Sequence, residues 1–113
     1  AIKMVYENTS VIGLKSNLKE LTPTQISNIF FIMSNQIDKL YAKAIKISKR
    51  LGELGAYPRG LVKFEKFTWR PSPEEVENMS LHDLEMRYEL MEDEIITLKE
   101  IIDIGEQLLS LYS

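Results

Sequence analysis

Three groups of residues in this chain have types and spacings that could do chemistry. The first is His82-x-x-Glu85, followed by Glu89, Glu92 and Glu94. Helical bundles hold di-iron sites with Glu and Glu-x-x-His sets on facing helices, so the pattern invites a metal reading. Here the order is reversed and His82 is the one histidine. The facing helix offers Asp38 and Glu53, which stand roughly 22 Å apart at 1.5 Å rise per residue. A solvated acidic face is the simpler expectation, with no metal and no cofactor. Nucleophilic catalysis fares no better. There is no cysteine, no nucleophile motif, and His82 would have to act as base alone. Gly52, Gly55 and Gly60 fit neither G-x-x-x-x-G-K nor G-x-G-x-x-G. The chain reads as no enzyme.

The second group could contact nucleic acid. Lys39, Lys43, Lys46 and Arg50 recur at helical spacing. Arg59, Lys63, Lys66 and Arg70 interleave with aromatic residues. Phosphate contacts plus base stacking need those residue types. The acidic residues elsewhere oppose this, and no helix-turn-helix or RNA-binding motif appears.

The third group is apolar and could carry association. It sits on the elements that dominate the chain. Ile26, Phe30, Met33, Ile37, Leu40, Ala44, Ile47, Leu51 and Leu54 alternate spacings of four and three. That 3.5-residue repeat predicts a long helix with one apolar seam. Leu81, Leu84, Tyr88, Met91, Ile95, Leu98, Ile102, Gly105, Leu109 and Tyr112 form a second seam. Gly105 is its one small member, and it permits close backbone approach or leaves room for a bulky partner such as Phe30. Ile29, Phe31 and Ile32 lie off the first seam, and Ile101, Ile104, Leu108 and Leu111 off the second. These seven are the expected interface, with Tyr57, Phe67 and Trp69 next.

Boundaries follow from local signals. Thr22-Pro23-Thr24-Gln25 reads as a capping box with proline at the first helical position, so a helix is expected over 23–54, with Gly55 as its stop. Ser72-Pro73-Glu74-Glu75 repeats the start signal. From it we expect helix over 73–112, either bent or divided into a short helix 73–79 and a main one. A shorter helix over 11–21 precedes them, on Val11, Leu14, Leu18 and Leu21. Residues 55–72 connect the long helices as an aromatic-rich strap, either extended or with one short strand near 60–70.

The resulting expectation is one all-α domain over 1–113. Two long heptad-patterned helices form an antiparallel hairpin, and the N-terminal helix joins them in a bundle. Charge agrees with helices packed side by side. Residues 1–70 hold twelve Lys/Arg against five Asp/Glu, and residues 71–113 hold two against twelve. No 18-residue window is free of charge, which excludes a membrane-spanning helix. With no signal peptide recognised either, an intracellular, cytoplasmic location is expected. The expected function is a non-catalytic scaffold, adaptor or virion-like assembly subunit that self-associates, a dimer first of all, or binds a helical protein partner. Nucleic-acid binding is the alternative.

Overall fold

The computed structural model describes residues 18–55 and 67–112. Within them the chain is helical, with no strand. Helix α1 spans Pro23–Glu53, the short α2 spans Pro73–Glu77, and α3 spans Leu81–Tyr112. Most of the expected helix 11–21 lies outside the described residues. Its end, Leu18–Glu20, is a single 3₁₀ turn.

The caps explain where the helices begin. Thr22 Oγ1 accepts from the Gln25 backbone N–H at 3.2 Å, and the Gln25 side chain accepts from the Thr22 N–H at 3.0 Å. These bonds satisfy two donors that a helix start otherwise leaves unpaired. Ser72 caps α2 in the same way, through the Glu75 N–H. The chain then breaks at Asn78–Ser80 and restarts, with Ser80 Oγ accepting from Asp83 N–H at 3.1 Å. Helix α1 ends at Glu53 with Leu54 as its cap, and Gly55 just beyond it has a φ of 73°, which suits a residue without a Cβ.

The two long helices pack on each other, but they run parallel. Phe30 meets Tyr88 with ring centroids 6.4 Å apart. Further along, Gly105 lies against Ile47 and Leu51, and Lys43 pairs with Glu106. Contacts that climb α1 also climb α3. In Phe30–Tyr88 and in Ile47–Gly105 the second residue follows the first by the same 58 positions. The expected antiparallel hairpin is therefore corrected, and Ile47, not Phe30, occupies the space that Gly105 leaves.

The connection explains the direction. Its described part, 67–72, runs back down α1. Trp69 is bonded at Ser34 and Pro71 at Ser27. The chain climbs α1, descends through this segment, turns in α2 beside the start of α1, and climbs again in α3. A tight turn would have forced antiparallel packing; a connection that retraces the helix restores the original direction.

The core lies between α1 and α3. Ile26, Phe30, Met33, Ile37, Ala44, Ile47 and Leu51 are buried from α1, and Leu84, Tyr88, Met91, Ile95, Leu98 and Ile102 from α3. Fully burying each large apolar side chain contributes about 1.5–3 kcal/mol, far more than exposed ion pairs. Leu18 and Val76 close one end. Seam positions Leu40 and Leu54 are half-buried, and Leu81 and Tyr112 are exposed.

Candidate interaction surface

The segment 67–72 is fastened to both long helices and shapes one side of the pair. Ser34 Oγ donates to the Trp69 carbonyl and accepts from the Trp69 N–H, so one buried hydroxyl serves both polar groups of that residue. Ser27 Oγ donates to the Pro71 carbonyl at 2.7 Å. The Trp69 ring packs edge-on against Phe30 at 4.8 Å. Its Nε1 donates to Glu75 at 3.0 Å, and the Arg87 guanidinium lies 4.5 Å over its face. Such a cation–aromatic contact contributes about 0.5–2 kcal/mol according to its exposure.

Glu94 fastens the segment's other end. Its carboxylate accepts from the Phe67 backbone N–H, and its Oε1 is buried without a partner. Burial pushes this carboxyl above its ordinary range, and the Phe67 bond pulls the other way. A carboxyl raised on folding holds its proton more tightly in the folded state. Its contribution to stability is present below the unfolded pKa and is lost as pH rises through the folded one. We expect Glu94→Gln to gain stability relative to the unaltered chain between pH 4 and pH 7, read from thermal melts across that range. A constant difference over the range would refute the assignment.

The sequence-derived interface residues divide by exposure. Phe31, Ile104 and Leu111 are exposed at 51%, 53% and 78%. Ile32, Ile101, Leu108, Phe67 and Trp69 are half-buried against the core. Ile29 is wholly buried, so its side chain belongs inside the chain and is withdrawn from the interface set. Tyr57 lies outside the described residues. Two residues escaped the sequence reading: Met86 and Leu90, exposed at 50% and 52%. A signal for them existed. Met86, Leu90, Asp93, Thr97, Ile101, Ile104, Leu108 and Leu111 follow one another by threes and fours, so all eight share one face of α3. The polar Asp93 and Thr97 interrupt the apolar run and conceal it. At the start of this face a groove of about 370 Å³ opens, lined by Phe67, Met79, Asp83, Met86, Arg87 and Leu90.

Among the described residues, the basic side chains do not form one surface. Lys39, Lys43, Lys46 and Arg50 are exposed along α1, but Lys43 Nζ pairs with Glu106 at 3.3 Å and Arg50 with Glu53 at 3.4 Å. Arg70 is turned to another part of α1. It binds Asn35 at 2.9 Å and Asp38 at 2.6 Å, and sits 5.7 Å over the Phe31 ring. Arg59, Lys63 and Lys66 lie outside the described residues. Among the described residues, no three His, Asp or Glu side chains converge as metal ligands. No described helix is long and apolar enough to cross a membrane. Comparison with family models, with curated proteins and with solved structures returns no match.

Proposed function

We propose that the protein is a non-catalytic structural or interaction module that self-associates through its helices, acting as a scaffold, adaptor or assembly subunit. The observation that carries this reading is the exposed face of α3, where Met86, Leu90, Ile104 and Leu111 are half or more accessible beside the core that the described residues form. A row of large apolar side chains on one surface marks a contact site in a folded protein. The paired seams then serve as the rigid, coiled-coil-like core that presents this face. The experiment is absolute mass by light scattering from about 10 to 500 μM, a range that covers micromolar to sub-millimolar dissociation constants. We expect mass to rise with concentration from 13.1 kDa towards a dimer. Ile104→Glu combined with Leu108→Glu should hold the chain at monomer mass with helicity kept. Mass and helicity both unchanged by that pair would overturn the reading.

The second reading is nucleic-acid binding, favoured by exposed Lys39, Lys46 and Arg50 on one strip of α1. Phosphate contacts are strongest at low salt. A gel shift with mixed DNA and RNA that shows nothing there removes it.

A further inference from the structure

The groove beside Met86 combines an apolar wall with a field of one sign. Phe67 from the returning segment, Met79 from the break between α2 and α3, and Met86 and Leu90 from α3 make the wall. Met86 and Leu90 are half in water and stand one turn apart, roughly 6 Å along the helix. The hollow of about 370 Å³ exceeds the ~150 Å³ that holds a benzene-sized group, so it has room for a large apolar side chain.

The charge around this wall is negative. Residues 73–94 hold nine Asp/Glu and one Lys/Arg. That cation, Arg87, lies over the Trp69 ring at 4.5 Å. Asp83 lines the groove, and Asp93 is exposed on the same side of α3, two turns beyond Met86. Such a field repels phosphate, so neither nucleic acid nor an anionic lipid surface suits the groove. It repels the equally acidic α3 of a second copy for the same reason, and it attracts a cationic partner.

The form of that partner follows from the wall. Among the described residues there is no strand, so they offer no sheet edge to an extended peptide. Apolar residues one helical turn apart match those of a helix laid along them. We infer that the groove docks a basic amphipathic helix of another protein, with a large apolar side chain seated between Phe67, Met86 and Leu90 and Lys/Arg side chains facing Asp83 and Asp93. The two methionines adapt the wall to anchors of different shape. This rests on the interaction-module reading but does not need self-association, because one chain carries the whole groove.

The sequence holds one tryptophan, Trp69, and Arg87 both touches its ring and lines the groove. Its emission therefore reports from the site. The probe is a synthetic leucine–lysine amphipathic helix of roughly 18 residues without tryptophan, long enough to be helical when bound. One counterpart carries glutamate for every lysine, and another carries serine for every leucine. At about 150 mM salt the leucine–lysine helix should shift Trp69 emission saturably, and each counterpart should bind at least about tenfold more weakly. Met86→Gln with Leu90→Gln should also weaken the probe about tenfold. Both side chains are exposed, so circular dichroism should show helicity kept. Asp83→Asn with Asp93→Asn should weaken it at least about threefold, and more than Glu20→Gln with Glu53→Gln, an equal loss of exposed charge outside α3. Equal binding of the glutamate counterpart, or an unchanged affinity in the Met86→Gln, Leu90→Gln protein, overturns the proposal, as does the absence of any shift up to about 1 mM probe. Mass that rises with concentration while the probe fails to bind leaves self-association standing and ends this inference. Probe binding by a chain that stays at 13.1 kDa when alone upholds the groove and ends self-association.

Discussion

Phe30→Ala should cost about 3–5 kcal/mol, the range for deleting a buried aromatic ring. Phe30 is wholly buried and is the point where three parts of the chain meet. Its ring lies edge-on to Trp69 at 4.8 Å, from the returning segment, and to Tyr88 at 6.4 Å, from α3. Truncation opens a cavity between α1 and α3 and also releases Trp69, whose hold on Ser34 and Glu75 depends on its seat. Domains of this size have about 5–15 kcal/mol in all, so the variant should be partly unfolded at 37 °C. Urea unfolding followed by circular dichroism reads the loss. The neighbouring Phe31 supplies the control. It is half exposed and touches Arg70, so Phe31→Ala should cost about 1 kcal/mol or less. Equal costs at the two positions would show that the returning segment does not close over Phe30.

Gly105→Ala should destabilise, by about 1–2 kcal/mol, even though alanine is the better helix former by about 1 kcal/mol. A Cβ at Gly105 would stand 2.5 Å from Ile47 Cγ2 and 3.7 Å from Ile47 Cβ. Ile47 is branched at Cβ and strongly prefers one χ1 in a helix, so its methyl cannot swing aside without leaving that rotamer. Relief must come from the helices moving apart, which loosens contacts along the whole seam. Because the clash is with one named side chain, it can be isolated. In an Ile47→Ala background the same Gly105→Ala change should become neutral or stabilising. A double-mutant cycle by chemical denaturation measures that coupling. If Gly105→Ala stabilises the unaltered chain by the full helix-propensity gain, Gly105 does not face Ile47 and the parallel register is wrong.

Much of this architecture is legible from the sequence because local chemistry decides it. Thr22-Pro23-Thr24-Gln25 carries its own capping bonds within four residues, so the start of α1 needs no tertiary partner to be read. Gly55 marks its end for the same reason, since a positive φ is a property of one residue. The start of α2 at Ser72-Pro73 is equally local, whereas the sequence leaves a bent helix and a divided one both open, and the structure divides it into Pro73–Glu77 and Leu81–Tyr112. The burial of most positions from Ile26 to Leu51 and from Leu84 to Ile102 follows from periodicity, which fixes which residues share a side of a helix.

Direction was decided only by the tertiary structure. A seam spaced by threes and fours reads the same from either end, so two such seams can pair parallel or antiparallel with equal apolar overlap. What separates the two is which bulky residue meets Gly105, together with the path of the connection. Both depend on contacts between residues far apart in sequence. Ile29 and the pair Met86 and Leu90 mark the same divide. All three are large apolar residues off the seams, with nothing local to tell them apart. The fold buries Ile29 completely and leaves Met86 and Leu90 half in water, beside the groove that Phe67 and Met79 complete.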